Sequence, residues 1–246
     1  MGSHKLELGR YRVRVADGVQ DLHAAQRLRS LAFHGDDSDL DTDAYDSLCT
    51  HYMIEEAISG RLVCGFRMLP LNGGDEIGRS YSAQFYELDA LKSYPGRMVE
   101  MGRFCLHPDV HDADVLRIAW GAMTAYVDEN NVELLFGCAS FAGTDTSSYL
   151  DSFAMLRDRH LAPTRWLPKV KAPKVFRFAT RLRRKPNIKA AQLSMPPMLR
   201  SYLLMGGWVS DHAVVDQKMN TLHVFTGVEV KAIPAARKRL LRALAS

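Results

Sequence analysis

The sequence predicts an α/β fold in which a mixed sheet is flanked by helices. Three observations predict this class. The first 70 residues carry strand-like alternation on both sides of one helical pattern, and strand and helix patterns then alternate between residues 98 and 159. The composition is 47% hydrophobic and 24% charged, which is ordinary for globular proteins and excludes collagen-like and disordered classes.

The first half of the chain predicts an antiparallel start followed by a strand and a long helix. Ser59-Gly60 is typical of a hairpin turn between two strands. The predicted elements of this half are a strand over 11–15, a helix over 19–33, strands over 52–57 and 62–69, a short helix over 82–91, a strand over 98–106 and a helix over 113–129.

The second half continues the same alternation and contains one irregular stretch. Residues 161–189 include four prolines and show no regular period, which predicts an irregular or partly helical basic insertion. The other predicted elements are a strand over 132–141, helices over 147–159 and 197–205, strands over 208–215 and 221–230, and a basic amphipathic helix over 234–245. With no internal repeat and no linker, we expect one domain over residues 1–246.

Charge is distributed unevenly although the formal net charge is only +4. Residues 157–189 contain twelve Lys or Arg and one acid, and residues 231–246 contain five basic residues and no acid. Residues 36–56 contain eight acids and no Lys or Arg. The basic part predicts either an anionic macromolecule or membrane surface as partner, or a solvated charged face. The acidic run is also compatible with a solvated loop.

The sequence predicts a cytoplasmic protein. The longest nearly uncharged apolar stretch, residues 118–127, is far shorter than the roughly 20 residues of a membrane-spanning helix. Residues 1–5 are not the start of a secretory signal, and their Gly-Ser-His is typical of a cloning remnant. Four cysteines, at positions 49, 64, 105 and 138, have no paired spacing, so we expect reduced thiols and no metal site.

Charged side chains interrupt several apolar elements. Arg29 lies on the apolar stripe of the first helix, and Arg67 lies in an apolar strand. Arg29 either reaches solvent along its apolar stem or is buried with a carboxylate partner. Glu100 and Arg103 lie in one apolar strand, and a bulge at Gly102 would bring both to the same face.

A pair of aspartates provides partners for these arginines. Asp43 and Asp46 precede the second predicted strand. Together with Glu100 they could neutralise the three arginines within one polar site, which would suit a zwitterionic small substrate. A solvated charge or a purely structural ion pair remains the alternative for each residue.

These residues resemble two related families. The first resemblance is to the acyl-homoserine-lactone synthases, through the order Arg29-x-x-x-Phe33, Asp43-x-Tyr-Asp46, Gly-Phe-Arg67-Met-Leu-Pro and Glu100-Met-Gly-Arg103-Phe104. The tryptophan that those enzymes have after Phe33 is replaced here, around residues 34–37. Five segments resemble the bacterial ornithine N-acyltransferases. They are Glu100 to Pro108, Leu135 to Asp145 (which includes Ser140), Arg159 to Pro163, Pro196 to Gly206 and Asp216 to Thr221.

The second resemblance implies a GNAT-like fold and a specific reaction. Such enzymes transfer a 3-hydroxyacyl chain from acyl carrier protein to the α-amine of ornithine, and related enzymes use glutamine. The resemblance implies no cofactor beyond the phosphopantetheine thioester of the donor, and it implies acyl carrier protein and an amino acid as partners. Two alternatives remain: a signal synthase of the lactone type, and a non-enzymatic membrane-binding or nucleic-acid-binding module. We expect no nucleic acid as partner.

The resemblance also implies roles for single residues. Glu100 would accept the ammonium proton, and Arg103 would hold the polar cluster and the strand backbone. Asp43 and Asp46 would position a cationic amino acid or orient Arg29, and Arg67 would face the substrate carboxylate or the pantetheine phosphate. The remaining predicted substrate-binding residues are Phe33, Phe104 and Ser140. A covalent role for Cys105 or Cys138 is disfavoured, because direct attack by the amine needs no acyl-cysteine.

Two charged regions bear on the donor. Residues 107–116 begin a helix without glycine and with three aspartates, which repel a diphosphate and favour a carrier-bound thioester over free CoA. Four cations at the end of the basic insertion are expected to contact the carrier protein or an anionic inner membrane: Arg181, Arg183, Arg184 and Lys185. The sequence does not separate these two uses, so peripheral attachment to the inner membrane is also expected.

Overall fold

The computed structural model describes residues 6–245, so the expectation for residues 1–5 lies outside it. The described chain divides into two compact units. The first contains the residues up to Pro70, Met101–Val132 and the residues from Ala235. The second contains Leu71–Glu100 and Glu133–Pro234. The expectation of one domain stays a prediction.

The regular elements are numbered in chain order. The strands are β1 Leu6–Leu8, β2 Tyr11–Val15, β3 Thr50–Glu56, β4 Leu62–Leu71, β5 Tyr86–Glu87, β6 Arg97–Leu106, β7 Val132–Ala142, β8 Lys169–Val170, β9 Val175–Phe176, β10 Trp208–Val209, β11 Ala213–Asp216 and β12 Thr221–Glu229. The α-helices are α1 Gly18–His34, α2 Ala113–Glu129, α3 Leu150–Arg159, α4 Phe178–Arg181, α5 Ile188–Ser194, α6 Pro197–Leu204 and α7 Ala235–Ala245.

The first unit is an antiparallel meander covered by helices. Its strands follow the order β1-β2-β3-β4-β6, with Val13 opposite Ile54 and Tyr52 opposite Phe66. Helix α2 packs on β1, β2 and α7. The α2–α7 contact is so close that a Cβ at Gly121 would overlap the Leu244 carbonyl oxygen, so only glycine fits there.

The second unit is built on a long antiparallel pair. Nine residue pairs join β7 to β12, from Thr221 opposite Ala142 to Glu229 opposite Leu134, and the order continues through β11 to β9. Strands β5 and β8 form a separate two-stranded sheet. Phe153 and Phe178, from α3 and α4, stack at 5.2 Å within the core of this unit. The apolar side chains of short elements therefore supply much of its core.

Most predicted elements are confirmed, including α2 with the predicted bounds. The helix expected over 82–91 is wrong: the structure has 3₁₀ turns at Ser82–Gln84 and Asp89–Ser93 on either side of β5. The strand expected over 208–215 is interrupted between β10 and β11. There the Ser210 N–H still donates to the Phe225 carbonyl, but the Phe225 N–H donates to the buried Ser210 hydroxyl, which itself donates to the His212 carbonyl. Within residues 6–245, no helix is both long and apolar enough to cross a membrane.

Candidate active site

The predicted arginines and aspartates meet in one buried group of the first unit. We call this group the arginine–aspartate cluster, and it consists of Arg29, Arg67, Arg103, Asp41, Asp43 and Asp46. Three guanidinium groups face three carboxylates, so the cluster is neutral overall. Charges in an apolar interior are tolerated only when they are paired in this way.

Arg29 of α1 is 3% exposed and binds Asp46 through two parallel hydrogen bonds. The distances are 2.7 Å from Nη1 to Oδ1 and 2.9 Å from Nη2 to Oδ2. Nε of Arg29 lies 3.0 Å from Oδ2 of Asp41. These contacts decide between the two interpretations left open for Arg29. Arg29 is a buried cation with carboxylate partners.

Arg67 of β4 makes the equivalent two-pronged contact with Asp43. Its Nη1 and Nη2 donate to the two Asp43 oxygens at 2.6 and 2.7 Å, and Nη1 also donates to Asp46 Oδ1 at 2.7 Å. The Arg67 guanidinium also lies 5.6 Å from the centre of the Tyr45 ring. A planar guanidinium held by two carboxylates and an aromatic ring has little freedom to reorient.

Arg103 closes the cluster from β6. Its side chain lies 3.0 Å from Asp43 and 3.2 Å from Asp41. The backbone of Arg103 has φ of 52°, a left-handed conformation that residues with a Cβ seldom adopt. This residue follows Gly102, where a bulge was expected; the bulge itself stays a prediction. Such a conformation persists only where the surroundings hold it, and the ion pairs of the side chain do so here.

The cluster strongly favours ionised carboxylates. Burial by itself raises the pKa of the Asp46 carboxyl, but hydrogen bonds from Arg29 and Gln26 and the charges of Arg29 and Arg67 outweigh it, so this pKa lies well below its usual value. The pKa of Asp43 is also lowered, since contacts with Arg67 and Arg103 overcome the effect of burial. The carboxylates of both predicted aspartates are thus directed at arginines.

Asp41, the third carboxylate of the cluster, was not predicted from the sequence. Asp41 lies two residues before Asp43 in the acidic run and contacts both Arg29 and Arg103. Counting charges gives the signal that could have found it. Three arginines need three carboxylates within reach, and Asp43 and Asp46 supply only two.

Glu100 of β6 belongs to the second unit and is 4% exposed. Its Oε1 accepts hydrogen bonds from the Ser82 N–H at 2.8 Å and from the Ser82 hydroxyl at 2.5 Å. Its Oε2 accepts one from the Tyr81 N–H at 2.7 Å. Ser82 and Tyr81 were not predicted, because nothing in the local sequence indicates that a turn 18 residues away binds this carboxylate.

The cysteines are free thiols, as expected. Burial raises the pKa of Cys105 to about 12, which keeps this side chain a neutral thiol. Cys138 is half-buried, and its Sγ lies 3.3 Å from the Ser82 hydroxyl oxygen. Cys105 therefore has the environment of a structural cysteine, whereas Cys138 belongs to the surroundings of Glu100.

The other predicted substrate-binding residues occupy different parts of the chain. Phe33 is half-buried on α1, and Phe104 stacks on Phe66 with ring centres 6.1 Å apart. Ser140 is exposed on β7, opposite His223 of β12. Their roles stay predictions.

The four cations selected in the basic insertion are all exposed. Arg184 donates to Asp151 at 2.8 Å, and its carbonyl accepts a hydrogen bond from Arg157. Arg181, Arg183 and Lys185 have no carboxylate partner among residues 6–245. Three of the four charges are therefore directed at solvent.

The start of α2 is already occupied by carboxylates. Asp112 caps the helix by accepting a hydrogen bond from the Asp114 N–H at 2.9 Å, and Arg10 pairs with Asp112 at 3.1 Å. Asp114 pairs with Arg117 at 3.0 Å. The positive end of the helix dipole thus faces the Asp112 carboxylate.

A surface depression of about 280 Å³ lies at the end of α1. Its lining is mainly polar and acidic: Ser30, His34, Asp36, Asp39, Leu40, Asp41 and Thr42. The depression borders the cluster because Asp41 belongs to both.

Comparisons with known proteins agree on a family. Residues 28–121 match the family model described as "Acetyltransferase (GNAT) domain". The chain is 32% identical to an L-ornithine N(alpha)-acyltransferase of Rhodobacter capsulatus over 91% of both chains. It is 26% identical to one of Brucella abortus, covering 92% of this chain and 86% of that one. The chain belongs to the L-ornithine N(alpha)-acyltransferase family.

Membership in this family confirms the GNAT-like fold and an N-acyltransferase enzyme that acts on amino acids. Among solved structures, FeeM, an N-acyl amino acid synthase from uncultured soil microbes, is similar with a TM-score of 0.49 and 10% identity, over 96% of this chain and 97% of that chain.

Proposed function

We propose that this enzyme transfers a 3-hydroxyacyl chain from acyl carrier protein to the α-amine of ornithine. The relatives named L-ornithine N(alpha)-acyltransferases support the amino acid, and the resemblance of the motifs supports the donor. The observation that carries the chemistry is the buried carboxylate of Glu100, held by three hydrogen bonds in an apolar strand. Burying such a group is costly, so a catalytic use accounts for it well.

In the proposed reaction Glu100 accepts a proton from the ornithine ammonium, directly or through one water. The neutral amine then attacks the thioester carbonyl carbon, and the carbonyl oxygen becomes negative in the tetrahedral intermediate. When this intermediate collapses, the carbon–sulfur bond breaks, and the nitrogen gives up its second proton, which the leaving thiolate takes up. The proton held by Glu100 then returns to solvent. The products are an amide and the free pantetheine thiol, and no enzyme thiol takes part.

The arginine–aspartate cluster supports the reaction by fixing the strand that carries Glu100. Arg103 is three residues after Glu100 in β6, and its ion pairs hold the left-handed turn of the backbone there. A catalytic group must be held within about half an ångström of its working position. We therefore assign Arg103 a positioning role, and Arg29 and Arg67 a role in holding Asp46 and Asp43.

The relatives also favour one of the two amino acids that the motif resemblance allows. Both relatives are named for ornithine, so ornithine is proposed as the acceptor over glutamine.

Two observations support a carrier-bound donor. Asp112 and Asp114 occupy the start of α2, where a CoA pyrophosphate would need N–H donors and no nearby negative charge. The exposed cations Arg181, Arg183 and Lys185 provide a surface for an acidic carrier protein. These cations could instead contact an anionic membrane, and a measurement of binding to anionic vesicles distinguishes the two partners.

The test is product analysis by mass spectrometry. The enzyme is mixed with 3-hydroxyacyl carrier protein or 3-hydroxyacyl-CoA, and with ornithine, lysine, glutamine or glutamate. We expect N-acylornithine as the main product, with higher catalytic efficiency for the carrier-bound donor. Equal efficiency with both donors would contradict the donor assignment, and a preference for glutamine would contradict the acceptor assignment.

A further inference from the structure

The turn at Tyr81–Ser82 holds the Glu100 carboxylate through neutral donors. Ser82 contributes two of them, its N–H and its hydroxyl, both to Oε1 of Glu100. Ser82 is fully buried, at 0% exposure, so solvent cannot replace its hydroxyl. A hydrogen bond to an ionised group is stronger than one between neutral groups, and burial increases the difference.

The direction of the next hydrogen bond follows from the number of hydrogens. The Ser82 hydroxyl has one hydrogen, and it is donated to Glu100 at 2.5 Å. The contact between Ser82 Oγ and Cys138 Sγ at 3.3 Å must therefore use the thiol hydrogen. Cys138 donates to Ser82, and Ser82 donates to Glu100, so polarisation of each bond strengthens the next.

We propose that Ser82 is a positioning residue for the base Glu100, and that Cys138 assists it by donating its S–H to the Ser82 hydroxyl. This inference rests on the proposed function, because it concerns how the base of that reaction is held. The hydroxyl of Ser82 orients Oε1 and stabilises the ionised carboxylate that accepts the ammonium proton. Cys138 acts as a hydrogen-bond donor and forms no bond with the acyl group.

Ser80 provides a matched control in the same turn. It is a serine with 1% exposure, but its hydroxyl donates to the Ile77 carbonyl at 2.7 Å and accepts from the Ala83 N–H. Replacing either serine with alanine removes one buried hydroxyl. The Ser82 change removes a donor from Glu100, whereas the single hydroxyl hydrogen of Ser80 is directed at Ile77, so a difference between the two variants reports the effect on the base.

The experiment is the pH dependence of kcat/KM for Ser82→Ala, Ser80→Ala, Cys138→Ala and the unchanged enzyme. Loss of a donor disfavours the ionised base, so the acidic limb of the Ser82→Ala profile should move to higher pH by about one to two units. We expect kcat/KM to fall roughly tenfold on the plateau, because the base is held less firmly. Cys138→Ala should move the limb in the same direction by less, Cys138→Ser should restore it, and Ser80→Ala should leave it in place.

The outcomes separate this inference from the proposed function. If Glu100→Gln retains normal turnover, the assignment of the base is wrong. If Glu100→Gln is inactive while Ser82→Ala and Ser80→Ala have the same pH profile, the base stands and the role of Ser82 is overturned. Should Ser82→Ala fail to fold, the Cys138 variants decide, because an unmoved limb in Cys138→Ala contradicts the second hydrogen bond.

Discussion

The arginine–aspartate cluster and Glu100 are both buried charges in apolar elements, yet they are held by different kinds of group. In the cluster each carboxylate faces guanidinium groups, and charge is neutralised pair by pair. Glu100 accepts hydrogen bonds from two backbone N–H groups and one hydroxyl, which are neutral donors. Both arrangements favour the ionised carboxylate, but a substitution leaves something different behind in each: loss of a guanidinium leaves a buried carboxylate without its counter-charge, whereas loss of the Ser82 hydroxyl removes one neutral donor. Breaking the cluster should therefore act mainly on stability, and loosening the turn around Glu100 should act mainly on turnover.

The largest expected effect comes from breaking the cluster. Arg67→Met keeps most of the side-chain volume but leaves Asp43 without its two-pronged partner. Removing one partner of a buried pair typically costs about 3–5 kcal/mol, so the free energy of unfolding in urea should fall by that amount. In the control Arg61→Met, which removes an exposed pair with Asp109, the change should stay below about 1 kcal/mol. Equal losses in both variants would show that the cluster does not stabilise the fold as described.

Acid should reduce the stability that the arginine–aspartate cluster contributes to the fold. The pKa of Asp43 and that of Asp46 are lowered in the folded protein, so their stabilising contribution is present above the unfolded value near pH 4 and is lost as the pH falls through the folded values. The free energy of unfolding should therefore decline below about pH 4. Asp43→Asn, which removes one such group, should make this decline shallower. Identical slopes for Asp43→Asn and the unchanged protein would contradict the assignment.

The basic insertion offers the smallest expected effect, and it extends the comparison to cations that face solvent. Replacing Arg181, Arg183 and Lys185 with serine should raise the KM for the acyl carrier protein and leave kcat nearly unchanged, since these residues lie outside β6. Arg184 is kept because Asp151 binds it. The KM of the unchanged enzyme should rise with salt, whereas that of the variant should respond less.

A charge-matched control tests whether the location of these cations matters. Arg27, Arg79 and Lys92 are exposed cations elsewhere in the chain, and their replacement with serine lowers the net charge equally. We expect the KM to change little in this control. If the carrier kinetics of the insertion variant match those of the control, while its binding to anionic vesicles is reduced, the insertion contacts the membrane instead.

The sequence was sufficient for most elements and for five of the six members of the cluster, because charges in apolar segments are conspicuous. It could not decide whether Arg29 reaches solvent or is buried, since that depends on Asp46, which is 17 residues away. The helix expected over 82–91 failed for a similar reason. Tyr86, in the middle of this stretch, pairs with Val170 of β8, so a distant partner outweighs the local pattern.

The difference between the cluster and Glu100 is tested most directly by the turnover of Glu100→Gln. The amide can accept through only one atom, so part of the hydrogen bonding from the turn is lost, and rates must be expressed per folded protein as judged by its circular dichroism and melting curve. Glu87→Gln, another glutamate of the second unit, serves as control. We predict that Glu100→Gln forms N-acyl product roughly a hundredfold more slowly, or slower still, between about pH 6 and pH 9, while the control stays near normal. Near-normal turnover of folded Glu100→Gln would contradict the assignment of Glu100 as the base.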